Sequence, residues 1–163
     1  MRLSEANIGR LPDNVGVPGY ERSGARHAVH FGIGAFHRAH QAAFTDACNR
    51  DGGPTWTITG VSMRSATVAE QLNPQDGLYT LTIRSGDGTD TRVMGSVAQV
   101  LVAGPDRETI VERIASPDCH LVTFTVTEKG YCRAPDGSLD LALASDGFYP
   151  IVSDALSRRR DAG

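Results

Sequence analysis

The feature that most constrains this chain is a glycine pair set between a short apolar run and a helical pattern. Residues 27–31 (His-Ala-Val-His-Phe) read as a strand that meets Gly32-Ile33-Gly34. Residues 36–49 follow with good helix formers and apolar spacing at Ala39, Ala42, Ala43 and Ala47. Strand, glycine turn and helix in that order begin the GxGxxG fingerprint of dinucleotide-binding folds, with His37 where the third glycine would stand. Gly32 allows the tight turn and Gly34 lets a pyrophosphate approach the backbone, while the helix start offers unpaired N–H groups and a positive dipole. A plain glycine turn with no ligand explains the same residues about equally well.

The remaining pattern repeats the strand–helix alternation. Residues 56–61 are β-rich, and Ser65 is placed to cap a short helix through Leu72 before Asn73-Pro74 breaks it. Residues 78–84 and 92–102 alternate around Ser85-Gly86-Asp87-Gly88, a hairpin signal with a loop longer than the tightest type. Asp106 is placed to cap a helix carrying Ile110, Val111 and Ile114, residues 120–126 suit a buried strand, and residues 151–160 form a last helix with a basic end. Residues 1–26, with Pro12, Gly16, Pro18 and Gly19, read as an irregular lead-in to a domain over residues 27–163. The fold class expected is α/β: a Rossmann-type, doubly wound, mostly parallel sheet with an inserted antiparallel hairpin.

Composition narrows the partners. A chain of 163 residues holds one domain, or one and part of another. Sixteen basic against 19 acidic residues leave a net charge of −3, too small and too mixed for a nucleic-acid or membrane surface, so small molecules are the expected ligands. No apolar run approaches the ~20 residues of a spanning helix, and polar residues follow Met1-Arg2-Leu3-Ser4-Glu5 in place of a signal core. The cytoplasm is the expected compartment. Cys48, Cys119 and Cys132 are widely spaced and read as reduced, and no metal site is expected.

Several residues are candidates for chemistry. Gly32, Ile33, Gly34, Ala35 and Phe36 form the turn and helix start, and Arg38 has the forked geometry to contact phosphate. His37 and His40 read as satisfied polar residues at a helix start. After the second strand, where an NAD-preferring site carries Asp or Glu, the chain has Met63-Arg64-Ser65-Ala66-Thr67, and a guanidinium such as Arg64 accommodates a 2′-phosphate. NAD and NADP both remain open as cofactors. Glu128 and Lys129, in Thr127-Glu128-Lys129-Gly130-Tyr131, follow a strand at the edge where open α/β sheets gather ligands, either as acid–base partners or as a surface pair.

Taken together, Gly32-Ile33-Gly34-Ala35-Phe36-His37-Arg38-Ala39-His40-Gln41, Gly60-Val61-Ser62-Met63-Arg64, Gln75-Asp76-Gly77-Leu78-Tyr79-Thr80-Leu81, Arg92-Val93-Met94-Gly95-Ser96 and Thr127-Glu128-Lys129-Gly130-Tyr131-Cys132 resemble the mannitol dehydrogenase family of long-chain, polyol-specific dehydrogenases. The resemblance implies an NAD(P)-binding first domain and a largely helical second domain that holds a sugar alcohol or aldonate and its ketose or keto-uronate. It also implies a catalytic lysine in a K-x-x-x-x-N-x-x-H motif on that second domain. Lys129 is the only lysine here, and Ala134 and Gly137 occupy the Asn and His positions counted from it, so no catalytic residue is assigned. The chain is therefore expected to be the N-terminal cofactor part, with its sheet incomplete at the C-terminus and the second domain absent. The alternative is a catalytically inactive truncated nucleotide-binding module.

Overall fold

The computed structural model describes residues 2–162, with the side chains of Glu128 and Lys129 outside the described set. In chain order come β1 (Val15–Gly16), β2 (Arg26–Phe31), α1 (Ala35–Ala39), α2 (Gln41–Arg50), β3 (Trp56–Ser62) and α3 (Thr67–Leu72). The hairpin strands β4 (Tyr79–Ser85) and β5 (Gly88–Met94) follow, then β6 (Val97–Val102), α4 (Arg107–Ala115), β7 (Cys119–Phe124), α5 (Leu141–Ser145) and α6 (Tyr149–Ala162).

Four strands form an all-parallel sheet in the order β6-β3-β2-β7. Parallel strands covered on both faces carry continuous apolar runs, and residues 27–31 and 57–61 are buried at every position. One face packs Val29, Phe31, Val61 and Leu101 under Ile110, Val111 and Ile114 of α4 and Ile151 and Ala155 of α6. The other packs Ala28, Ile58, Val97 and Val100 under Ala42 of α2 and Ala69 and Leu72 of α3. The sheet is thus doubly wound, as the alternation predicts. The chain builds outward from β2 through β3 to β6, then returns to place β7 on the other side of β2. That reversal between β2 and β7 is the topological switch point, where open α/β sheets leave a crevice at the carboxyl ends of their strands.

A second, three-stranded sheet has the order β1-β5-β4. The structure corrects the sequence reading here in three ways. Residues 92–102 are not one strand: the chain turns at Gly95, where a Cβ would press on Pro18 Cγ at 2.8 Å and the Tyr20 hydroxyl at 3.0 Å, so β5 and β6 enter different sheets. The hairpin loop is the tightest kind, since Ser85 pairs with Gly88 across Gly86 and Asp87. The lead-in is not wholly irregular either, because β1 pairs in parallel with Thr91 and Arg92 of β5.

Two helix starts also differ from expectation. The Asp106 carboxylate accepts the Val102 N–H at 2.7 Å and makes no cap bond to α4. Ala66 stands at the cap position of α3, while the Ser65 hydroxyl accepts the Thr67 N–H at 3.1 Å.

A buried carboxylate ties the lead-in to the sheet. Asp46 on α2, 1% exposed, accepts from the Tyr20 hydroxyl at 2.5 Å, the Gly95 N–H at 2.7 Å and Arg50 Nε at 2.6 Å. Arg50 in turn donates to the carbonyls of Val17 and Val93. Burial and the Asp46 charge raise the Tyr20 pKa far above the ordinary phenol value, so its proton stays in this bond. Removing one member of such a network strands the others in a low-dielectric interior. Asp46→Ala is expected to cost roughly 3 kcal/mol in urea denaturation, against about 1 kcal/mol or less for replacing the exposed Asp87.

Candidate phosphate cradle at the carboxyl edge

Three loops meet at the carboxyl edge of the parallel sheet: residues 32–34 after β2, residues 63–66 after β3 and residues 125–127 after β7. Gly32 lies between its two neighbours. Its N–H donates to the Val61 carbonyl at 2.9 Å, and the Thr125 N–H donates to the Phe31 carbonyl at 2.8 Å. The backbone at Gly32 has φ +99°, and a Cβ there would stand 3.0 Å from the Thr125 carbonyl oxygen, so the position requires glycine on both counts.

Ile33 turns inward. It is 2% exposed and fills the space over β3 that a Cβ on Gly60 would overlap, which fixes the turn to the core. Gly34 turns outward. Its backbone is extended, and a Cβ there would find only the Gly32 carbonyl oxygen, at 3.9 Å. Gly34 caps α1 without a side chain, and among the described residues no acceptor meets the N–H groups of Ala35, Phe36 and His37. Open space above Gly34 beside free donors is a fitting cradle for the oxygens of a pyrophosphate.

Two contacts brace this turn from below. Arg38 donates Nη1 to the Ile33 carbonyl at 2.8 Å, and the Tyr79 hydroxyl donates to the Arg38 carbonyl at 2.7 Å. The helix anticipated over residues 36–49 is broken at His40 (φ −120°, ψ −90°), so α1 is a single short turn that leads into α2 at an angle. His40 Nδ1 bonds the Phe36 carbonyl at 2.8 Å, and its ring stacks on the exposed Phe36 ring at 4.3 Å.

His37 departs from the sequence reading. It is 1% exposed, and neither ring nitrogen has a partner among the described residues. Its ring stacks on His30 of β2, centroids 3.5 Å apart and planes within 14°. His30 is itself held by the hydroxyls of Thr123 at 2.8 Å and Thr125 at 3.0 Å. His27 is held in the same manner between Thr57 and Thr59 of β3. Burial pushes the pKa of His27 and His30 down to about 4, and that of His37 to about 3 with the His30 and Arg38 charges adding to the fall. All three rings are neutral at pH 7. The sequence signal for the pair is two histidines seven residues apart on either side of the glycine turn, whose meeting requires the fold.

Residues 26–163 match the family described as "Mannitol dehydrogenase Rossmann domain". The chain belongs to this family. It is 42% identical to a mannitol 2-dehydrogenase of Pyrenophora tritici-repentis, over 100% of this chain and 31% of that protein. It is 35% identical to a polyol:NADP oxidoreductase of Gluconobacter oxydans, over 99% of this chain and 37% of that protein. Among solved structures, Pseudomonas fluorescens mannitol 2-dehydrogenase in a ternary complex with NAD and D-mannitol superposes with a TM-score of 0.87 at 35% identity, over 100% of this chain and 37% of that one. The chain spans about a third of the length of these relatives.

Within this mannitol dehydrogenase Rossmann domain, the residues singled out from the sequence separate by role. Gly32, Gly34, Ala35 and Phe36 make up the open turn and helix start, whereas Ile33 is buried against β3 and Arg38 bonds its carbonyl. Arg64 stands exposed at the carboxyl end of β3, with no ion pair among the described residues. Its loop is fixed by the Ser62 hydroxyl, which donates to the Ser65 carbonyl at 2.6 Å. Glu128 and Lys129 open a short 3-10 turn, Glu128–Tyr131, beyond β7, and their side chains lie outside the described residues. Cys48 is exposed while Cys119 and Cys132 are buried, and all three are free. A cleft of about 780 Å³, lined by Arg22, His27, Arg113 and Asp118 among others, lies at the opposite, amino edge of the sheet and takes no part in this arrangement. No helix among the described residues is long and apolar enough to cross a membrane.

Proposed function

We propose that this chain is the cofactor-binding part of an NAD(P)-dependent oxidoreductase that interconverts a sugar alcohol or aldonate with its ketose or keto-uronate. The observation that carries the reading is the open cradle above Gly34, set at the switch point between β2 and β7 with three free N–H groups. The relatives' names and the bound NAD of the Pseudomonas fluorescens structure support it.

The chain's own contribution is to bind and orient. The backbone from Gly34 to His37 holds the pyrophosphate, Arg38 keeps the turn rigid through Ile33, and the segment after β7 borders the half of the crevice that the reactive ring enters. When bound, the nicotinamide supplies hydride transfer. The oxidation is balanced as R₂CHOH + NAD(P)⁺ giving R₂C=O + NAD(P)H + H⁺. No residue of this chain is assigned to carry the hydroxyl proton.

Calorimetric titration with NADH tests the reading: saturable one-to-one binding supports it, and no heat of binding at millimolar NADH opposes it. The exposed guanidinium of Arg64, with no acidic side chain at Ser65, Ala66 or Thr67, favours a 2′-phosphate. NADPH is therefore expected to bind at least as tightly as NADH. Arg64→Ala should weaken NADPH by about tenfold and NADH by less than about twofold.

A further inference from the structure

A third glycine in this type of turn lets the helix pack closely on the first strand. His37 occupies that place with a full side chain, yet α1 still sits over β2, because its ring lies flat against the His30 ring at 3.5 Å. The His30 ring is held at both nitrogens, by the hydroxyl of Thr123 on β7 and by that of Thr125 in the loop after β7. Thr125 also closes against Gly32. The same few atoms therefore join the strand, the glycine turn, the helix start and the loop after β7. Neither nitrogen of His37 has a hydrogen-bond partner among the described residues, so hydrogen bonding does not explain the residue. A flat ring does: it is the thinnest large group that fills this gap, and a branched or tetrahedral side chain would lift the turn.

We propose that the His30–His37 stack is a spacer that sets the height of the glycine turn above β2 and its register with the loop after β7, making His37 a positioning residue for the dinucleotide in place of a third glycine. The stack fixes where the N–H groups of residues 35–37 point, and a shift of a few tenths of an ångström there weakens charge-assisted hydrogen bonds to the pyrophosphate. This inference rests on the nucleotide-binding reading above.

The test compares the 163-residue chain with its His37→Phe and His37→Ala variants, using NADH as the probe. Each is measured by calorimetry and by the rise in melting temperature that saturating NADH produces. His37→Ala is expected to bind NADH at least about tenfold more weakly, and His37→Phe, which keeps a flat ring and discards the nitrogens, to stay within about threefold of the parent. A residue with only a structural role would lower the melting temperature of the free protein and leave the NADH-induced rise unchanged. Should His37→Ala not fold, His37→Leu, which fills the space without a flat ring, takes its place with the same expectation. Unchanged affinity in a folded His37→Ala or His37→Leu overturns the spacer. Equal losses in the Phe and Ala variants also overturn it, because the nitrogens and not the ring would then matter. Failure of the underlying reading looks different: the parent chain itself would not bind NADH, and the spacer would fall with it.

Discussion

Between pH 7 and pH 5 the folded chain is expected to lose several kcal/mol of its stability toward urea. Three buried histidines drive the loss. His27 and His30 have pKa values near 4 and His37 near 3 in the folded state, against an ordinary value of 6.5. The folded protein therefore refuses protons that the unfolded chain accepts, and stability falls with pH wherever the unfolded state binds more protons. The full stability is present above about pH 6.5 and is lost as pH falls toward 4. With an allowance for partial screening, each ring removes roughly 1–2 kcal/mol at pH 5, and the three together remove a large part of the ~5–15 kcal/mol that stabilises a domain of ordinary size. Urea midpoints at pH 7, 6 and 5 measure this. His37→Phe, which cannot be protonated, should remove about a third of the fall. A urea midpoint that stays level from pH 7 to pH 5 would show that these rings are reached by protons without unfolding.

Gly34→Val is expected to abolish measurable dinucleotide binding, by at least about a hundredfold or ~2.7 kcal/mol, while the fold stays intact. The two effects separate because of the geometry at this residue. The backbone is in an extended region that valine adopts readily, and the added Cβ meets nothing closer than 3.9 Å, so the turn keeps its backbone conformation. Bound phosphate oxygens would have to occupy the volume that the branched side chain fills. Gly32→Ala serves as the contrast. With φ +99° and Thr125 at 3.0 Å, it should damage stability and binding together. Circular dichroism and thermal melts establish the fold of each variant, and calorimetry with NADH establishes its affinity.

Much of this organisation is legible in the sequence where local chemistry and fold agree. Residues 27–31 and 57–61 announce buried parallel strands because both faces are covered and no alternation is needed. Gly32 and Gly34 announce the turn because only glycine serves the first and only a missing Cβ leaves room at the second. What escaped the sequence depends on partners far along the chain. The turn at Gly95 is imposed by Pro18, Tyr20 and the Asp46 carboxylate, none of which marks residues 92–102 as two strands. The break at His40 and the inward aim of His37 are likewise set by packing on β2, so a histidine that reads as a satisfied polar residue becomes a buried, unpaired ring. Asp106 shows the same limit on a smaller scale. It stands where a helix cap belongs and spends its carboxylate on the preceding strand.

A dinucleotide on the glycine turn would sit at the carboxyl edge of the sheet, within reach of the amides of residues 34–37. Titrating the isotope-labelled chain with NADH and following each backbone amide by NMR tests this placement most directly. The largest shifts are predicted at Gly32, Gly34, Ala35, Phe36 and His37, with smaller ones beside Arg64 and Thr125. Shifts gathered instead around Arg22, Arg113 and Asp118 in the amino-edge cleft, or no shifts at millimolar NADH, would contradict it.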